Sequence, residues 1–228
     1  MRKLISLALS ALCAVSLLAG TAAAEKPAQP LRIWGAAGSI TLGEDGTGTV
    51  LAVDGRNPGQ ADVLLKINGD TLLVDDQTGQ ASSLDQLREG DALYAWYGPA
   101  ATRSLPPQSN AAVLVFNIPM DVGAGQYAVV QSVEQREDGL YITDAISGIN
   151  CLLAADAELL SYYGQNKDGT PAIEQGTRLI LWYDMEEGQY VSRRASLLPQ
   201  ADGAEEQEAD KDQGGGKPQR GVRKIPLN

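Results

Sequence analysis

Histidine is absent from this sequence of 228 residues. Its absence excludes Ser-His-Asp and Cys-His nucleophilic catalysis, histidine acid–base chemistry, and the usual zinc and copper ligand sets. We therefore expect no catalytic residue, no cofactor and no metal site of these types. Chemistry carried out by paired carboxylates stays open.

Cysteine is scarce, since the chain contains only Cys13 and Cys151. Cys13 lies in the apolar run near the N-terminus, so a chain that loses this run keeps one thiol and forms no intramolecular disulfide. The stability of such a chain must come from packed cores. Cys151 lies within the apolar stretch Ile149–Leu153, which predicts a buried, unreactive thiol.

Positive charge is also in short supply. The chain has 18 Lys and Arg against 29 Asp and Glu, a net charge of −11. Nucleic acids and anionic membranes both require a basic surface, so neither is expected as the main partner. Acidity of this degree is ordinarily a solubility feature, and the alternative is a role in binding a cation.

The N-terminus has the pattern of a secretory signal peptide. Arg2 and Lys3 precede the apolar run Leu4–Leu18, and a stretch of small residues ends at Ala24. The run is too short for a retained membrane helix, and no small residue stands directly before Cys13 to indicate a lipid anchor. We expect cleavage after Ala24 and a secreted or cell-wall-associated protein that does not insert into a membrane.

Helical periodicity is hard to find after the N-terminal segment. Short apolar or alternating runs occur instead, separated by Asp-Gly and Asn-Gly pairs that tolerate positive φ in turns. The predicted strands are Arg32–Thr41, Gly48–Val53, Asp62–Ile67, Thr71–Val74, Ala92–Tyr97, Ala111–Asn117, Tyr127–Val133, Leu140–Asp144, Ile149–Leu153, Glu158–Leu160, Arg178–Tyr183 and Tyr190–Leu197.

The first and second halves of this strand series are predicted to be copies of each other. Residues 70–97 align without gaps on residues 156–183 at an offset of 86, which brings Trp96 onto Trp182. Such a match in a chain with three tryptophans indicates an internal duplication. Further matched pairs are Gly90 with Gly176, Leu93 with Leu179, and Tyr97 with Tyr183.

Each copy has five or six short strands, which is typical of a small closed or partly closed barrel of the oligonucleotide/oligosaccharide-binding (OB) type. The predicted fold class is all-β, with two tandem OB-like barrels related by duplication and a disordered C-terminal tail. The predicted segments are a signal peptide (1–24), a linker (25–31), a first barrel (32–119), a linker (120–126), a second barrel (127–199) and the tail (200–228).

The strand Ala92–Tyr97 is apolar on both faces. Leu93 and Ala95 face one way, while Tyr94 and Trp96 face the other. A strand of this kind needs cover on both sides. We expect one face to fill the barrel and the other to pack against the sister domain or to bind a ligand.

The tail, residues 200–228, has acidic residues first, then three glycines, then basic residues. It lacks the apolar periodicity that would fold it, which predicts disorder. Its basic end could contact an anionic cell wall. The alternative is a solvated tail without a partner.

The densest carboxylate groups in the predicted folded region are Asp75–Asp76 and Asp184–Glu187. Both lie in predicted turns, where acidic residues are routine. Paired carboxylates can also hydrolyse glycosidic bonds when a cleft holds them at the right separation. Glycan hydrolysis therefore stays an alternative function.

The segment Tyr97–Asn110 joins two apolar strands and carries Arg103, Gln108 and Asn110 among prolines. A stiff loop with mixed hydrogen-bonding groups suits recognition, and the alternative is that the prolines protect a sheet edge from aggregation. The candidate ligand or partner contacts are Trp96, Arg103, Gln108, Asn110 and Trp182.

The string Tyr97–Pro99, followed by Ser104–Ala111 and preceded by Leu87–Asp91, resembles a repeat of uncharacterised secreted proteins from anaerobic Gram-positive bacteria. Some of these carry neighbouring modules similar to the N-terminal domains of copper amine oxidases. The resemblance covers mainly residues 32–199, and the second copy lacks the proline-rich string at Ser192–Pro199. It implies a secreted tandem β-repeat protein and leaves the activity open.

We expect a secreted or cell-surface, non-catalytic, monomeric protein that binds an extracellular or cell-wall ligand or protein, or that serves a structural role. One alternative is an extracellular glycan hydrolase that uses carboxylates. Another is an accessory domain pair that contacts a second exported protein through an exposed face of Trp96 or Trp182.

Overall fold

The computed structural model describes residues 29–99, 101–120, 123–164 and 172–200. The predicted signal peptide (1–24) and residues 201–228 of the predicted tail lie outside these ranges. The described strands are β1 (Leu31–Leu42), β2 (Gly48–Asp54), β3 (Val63–Ile67), β4 (Leu72–Asp75), β5 (Ala92–Tyr97), β6 (Gln108–Phe116), β7 (Gln126–Arg136), β8 (Gly139–Asp144), β9 (Asn150–Ser161), β10 (Arg178–Glu186) and β11 (Gln189–Leu197), with short 3₁₀ helices at Glu44–Gly46 and Leu84–Gln86.

Alternating side chains explain these strands. In β3, Val63, Leu65 and Ile67 are buried, while Lys66 between them is exposed. This period of two places one row of side chains inside a barrel and leaves the other row outside. The all-β prediction is confirmed for the described part of the chain.

Every predicted strand is present, most with slightly different bounds, and β7 and β10 each extend three residues beyond their predicted C-terminal ends. The predicted strands Ile149–Leu153 and Glu158–Leu160 form one continuous strand, β9, because β11 pairs with it in parallel on both sides of a shift in register. Strand β6 begins at Gln108 rather than Ala111, because its first residues pair with β3.

The first sheet has the strand order β3-β2-β1-β5-β6-β4, and β3 also pairs with β6. That additional pairing closes a ring of strands β1, β2, β3, β6 and β5. Strand β6 is long enough to pair in parallel with β3 through one part and with β4 through another.

The second sheet is a closed barrel of the order β10-β11-β9-β8-β7. Its strands are connected in the same order as those of the ring in the first sheet. The parallel pair β9 and β11 corresponds to the parallel pair β3 and β6. Strand β9 supplies by itself the pairings that β3 and β4 share in the first sheet.

Residues at the offset of 86 make the same pairings in the two sheets. Strand β5 shifts its register on β6 between Trp96 and Tyr97, and β10 shifts on β11 between Trp182 and Tyr183. The residues predicted to be equivalent therefore occupy corresponding places on corresponding strands.

Three clusters of buried apolar side chains hold the molecule together. The first fills the ring of the first sheet, and the third fills the barrel of the second. The cluster between them, here called the seam, draws on both sheets. Its buried members are Leu72, Val74, Trp96, Val113, Val115, Tyr127, Tyr162, Ile180 and Leu198.

The seam accounts for the doubly apolar strand β5. Leu93 and Ala95 lie in the first cluster, whereas Trp96 lies in the seam with Tyr94 packed against it. Of the two possibilities for the second face, packing or ligand binding, the structure shows packing: one face of β5 fills the ring of the first sheet and the other packs against residues of the second sheet. No helix within the described residues has the length and apolar character needed to cross a membrane.

Candidate functional site

Asp76 is a charged residue at the centre of the contact between the two barrels. It directly follows strand β4 and is 1% exposed. Its Oδ1 accepts hydrogen bonds from the backbone N–H of Gly125, at 2.7 Å, and from the indole Nε1–H of Trp182, at 3.0 Å. Both donors come from beyond the first barrel, so the carboxyl is buried by the second.

The second oxygen of Asp76, Oδ2, is buried and has no hydrogen-bond partner among the described residues. Burial raises the pKa of Asp76, while the bonds from Gly125 and Trp182 and the charge of Arg194 lower it in part. Buried polar atoms without partners are rare in folded proteins, and each one calls for an explanation.

Arg194 and Trp182 form the wall beside Asp76. The guanidinium carbon of Arg194 lies 4.3 Å from the centroid of the Trp182 ring, a cation–π distance. The same guanidinium donates to the backbone carbonyls of Asp76, at 3.2 Å, and Gln77, at 2.6 Å. A Cβ at Gly125 would lie 2.8 Å from the Trp182 ring, so only glycine allows this close approach.

A cavity of about 520 Å³, here called the Asp76 pocket, opens at this point between the barrels. It brings together the two carboxylate groups identified in the sequence, Asp75–Asp76 and Asp184–Glu187, through one or more members of each. Its lining residues are Asp76, Gln77, Pro119, Gly123, Trp182, Tyr183, Asp184, Glu186, Val191, Arg193 and Arg194.

A second cavity, the Arg32 pocket, has a volume of about 280 Å³ and is mostly apolar and aromatic. Arg32 donates to the side-chain oxygen of Gln126 at 2.9 Å. Cys151 lines this pocket, is 2% exposed, and has its pKa raised to about 12 by burial, which confirms the predicted buried thiol. Other lining residues are Pro30, Trp96, Tyr127, Ala128, Ile142, Asp144, Ile146, Ser147, Ile149, Leu181 and Tyr183.

The third depression, the Asn110 groove, is the largest at about 1020 Å³. Tyr163 lines this groove, and 78% of its surface is exposed. Arg178 lies over the ring of Tyr127, 5.6 Å from its centroid, and donates to the Tyr127 hydroxyl at 3.1 Å. The remaining polar lining residues are Asn68, Asp70, Asn110, Gln175 and Gln200.

The three depressions all border the seam. Tyr183 lines both the Asp76 pocket and the Arg32 pocket, and Tyr127 lines both the Arg32 pocket and the Asn110 groove. Each depression also takes lining residues from both barrels. The surfaces available to a small ligand are thus products of the way the barrels meet.

The structure separates the five residues predicted to contact a ligand or partner. Trp182 lines the Asp76 pocket, Trp96 lines the Arg32 pocket, and Asn110 lines the groove. Trp96 is only 2% exposed and packs edge-on against Tyr127, with ring centroids 5.8 Å apart. It is therefore covered by residues of this protein and presents almost no surface to a partner. Arg103 and Gln108 line none of these three depressions.

The interpretation of the sequence missed Arg194 and Arg32, and it identified Asp76 only as one of two neighbouring acidic residues in a predicted turn. Asp76 follows Asp75 and precedes a turn, which gives it the appearance of an exposed turn residue. The alignment at the offset of 86 contains one signal of a contact between the barrels, because it places Tyr162 opposite Asp76 and both residues make such contacts. Tyr162 also reaches across the seam, where its hydroxyl accepts from the N–H of Leu73 at 3.2 Å.

Within the described ranges, no three His, Cys, Asp or Glu side chains are grouped closely enough to hold a metal ion. The comparisons with protein-family models, with curated proteins and with solved structures found no match to this chain. The resemblance to secreted repeat proteins therefore stays a prediction.

Proposed function

We propose that this chain is a secreted or cell-surface, non-catalytic binding protein made of two OB-type barrels that arose by duplication, and that its ligand binds at the seam. The single observation that carries the binding role is that all three depressions are lined by both barrels. Ligand sites occur preferentially at interfaces between domains.

The duplication and the barrel type are supported by the strand pairings. The ring of the first sheet closes in the order β1-β2-β3-β6-β5, and the barrel of the second closes in the corresponding order β7-β8-β9-β11-β10. In both, the third and last of the five strands pair in parallel. The displaced register at Trp96 and Trp182 recurs at the same place. In OB-type proteins this architecture serves binding of oligosaccharides and oligonucleotides, and the net charge of −11 disfavours the latter.

Export is supported by the N-terminal sequence pattern, with its basic start, apolar run and small residues before Ala24. The resemblance of Tyr97–Pro99 and Ser104–Ala111 to repeats of secreted proteins favours the same compartment.

Binding at the seam is tested by presenting the purified protein with neutral oligosaccharides, small organic cations and small carboxylic acids. A ligand that binds the folded state raises the midpoint of thermal unfolding in a concentration-dependent way. It should also change the fluorescence of Trp96 or Trp182, which line two of the depressions. Replacement of Trp34, which lines none of the three depressions, by Phe should leave that change in place, and a panel without any binder would overturn the proposal.

A second candidate, glycan hydrolysis, is favoured by one observation. Asp76, Asp184 and Glu186 line the same pocket, and burial raises the pKa of Asp76, as for a general acid. Steady release of reducing ends from extracellular glycans, abolished by Asp76→Asn and by Asp184→Asn, would establish this candidate. Binding without turnover would support the non-catalytic role.

A further inference from the structure

We propose that the Asp76 pocket is a binding site for a small organic cation whose ammonium group donates a hydrogen bond to the carboxylate of Asp76. This inference deepens the proposed function and rests on it, because it assigns a ligand class to one of the three depressions at the seam.

The first argument is the unused acceptor. Oδ1 of Asp76 already accepts from Gly125 and Trp182, and the backbone N–H and carbonyl of Asp76 are bonded to Phe116 and Arg194. Oδ2 alone is left without a donor in the described part of the chain. When Asp76 is ionised its Oδ2 can only accept, so the partner that the ionised form lacks is a donor.

The second argument is the balance of charge in the pocket. Arg193 forms ion pairs with Glu186, at 2.9 Å, and Asp156, at 3.7 Å, and Arg194 forms one with Glu158, at 3.6 Å. Both guanidinium groups of the lining are thus matched by carboxylates. Asp76 and Asp184 take part in no ion pair among the described residues, which leaves the surplus charge negative and favours a cation over an anion.

The third argument is the size and rigidity of the site. A volume of about 520 Å³ lies within the range of small-molecule pockets. The lining carboxylates are not grouped closely enough for a metal ion, so an organic cation fits better than a bare one. Trp182 is held between Arg194 and Gly125, which keeps the donor on Oδ1 in place, so a ligand must approach Asp76 from the pocket that this residue lines.

The test uses a matched set of four-carbon probes: n-butylammonium and 1,4-diaminobutane as cations, 1-butanol as the neutral probe and butyrate as the anion. The readout is the indole N–H resonance of Trp182, because that N–H donates to Asp76. The chain has three tryptophans, so Trp182→Phe assigns the signal. We expect both cations to shift it saturably and the other two probes to leave it in place.

Two variants separate the role of the carboxylate from the shape of the pocket. Asp76→Asn removes the charged acceptor and should weaken binding of n-butylammonium by about 10- to 100-fold, the usual effect of losing a hydrogen bond to a charged group. Gly123→Leu places a side chain at a lining position where an added Cβ meets nothing within 4 Å, so it obstructs the pocket without touching Asp76. It should weaken binding as well.

The matched control is Gly69→Leu, since Gly69 is also in open space but lines the Asn110 groove. It should bind the cations as the unchanged protein does. If Asp76→Asn does not fold, the contrast between Gly123→Leu and Gly69→Leu still decides whether the cation sits in the Asp76 pocket.

The inference is overturned if neither cation shifts the Trp182 signal, or if Asp76→Asn folds and binds the cations with unchanged affinity. A neutral or anionic ligand that binds at another depression would leave the proposed function standing and refute only this assignment. Absence of binding by all classes of ligand would refute both.

Discussion

The indole Nε1–H of Trp182 donates to Oδ1 of Asp76 over a separation of 106 residues in the sequence and 3.0 Å in space. Trp182 belongs to strand β10 of the second barrel, and Asp76 directly follows strand β4 of the first sheet. Such a bond, shielded from water, is stronger than one at the surface. Together with the bonds from Arg194 to the carbonyls of Asp76 and Gln77, it joins the two barrels at the Asp76 pocket.

Replacement of Trp96 by Ala should destabilise the protein by about 3–5 kcal/mol, as expected for removal of a large buried aromatic side chain. Trp96 is 2% exposed and lies in the seam. The measurement is urea unfolding followed by circular dichroism. Trp34→Ala is the control, since Trp34 is 44% exposed, and it should cost about 1 kcal/mol. Equal losses for the two variants would contradict the burial of Trp96.

Replacement of Asp76 by Asn should change how stability depends on pH. Burial raises the pKa of Asp76 above its ordinary value of 3.8, so the folded protein holds this proton more tightly than the unfolded chain. The resulting stabilisation is complete below the unfolded pKa and is lost as the pH rises through the folded pKa.

The Asn variant has no proton to lose at this position, so its stability relative to the unchanged protein should increase as the pH rises above the ordinary pKa of 3.8. Asp184, Glu186, Arg193 and Arg194 also face the pocket and are present in both proteins. Urea unfolding at several pH values measures the difference. A difference that stays constant with pH would show that Asp76 titrates normally.

Replacement of Gly125 by Ala should disturb the seam directly. The added Cβ would lie 2.4 Å from Cγ2 of Ile180 and 2.8 Å from the Trp182 ring, and overpacking of this kind costs about 1–3 kcal/mol. Thermal unfolding measures the loss, and the indole N–H signal of Trp182 should move. Gly123→Ala, at an open position, should stay within about 0.5 kcal/mol of the unchanged protein.

The thiol of Cys151 should react with an aromatic disulfide reagent only when the protein unfolds. Burial raises its pKa to about 12, so very little thiolate exists at pH 8. The experiment uses Cys13→Ser, which leaves Cys151 as the single thiol of a chain with two cysteines. The labelling rate in concentrated urea, which unfolds the protein, should exceed the rate in native buffer by orders of magnitude. Rapid labelling of the native protein would contradict the burial of Cys151.

Much of the fold was predictable because strands leave a local signature. The strand Ala92–Tyr97 has the same bounds in the prediction and in the structure, since its apolar run is bounded by the turn residues Gly90–Asp91 and Gly98–Pro99. The pairing of Trp96 with Trp182 at the offset of 86 also pointed to two corresponding strands.

The site was not predictable from local patterns. Asp76 is buried by Trp182 and Gly125, which are distant in the sequence, and nothing beside Asp76 in the chain distinguishes it from an exposed turn residue. Arg103 looked equally suited to binding, but it lines none of the three depressions, although Gly98 and Asn110 at the ends of its loop line the Asn110 groove. The way two barrels dock depends on contacts that neither barrel sequence shows alone.

Strand β9 runs without a break where the first barrel has two strands, β3 and β4, separated by a turn that includes Asn68–Asp70. That turn borders the Asn110 groove at one side, and Gln175–Gly176 borders it from the other barrel. The first barrel therefore contributes Asn68 and Asp70 to the groove from a turn that β9 lacks, so the two barrels present different side chains to anything that occupies the groove.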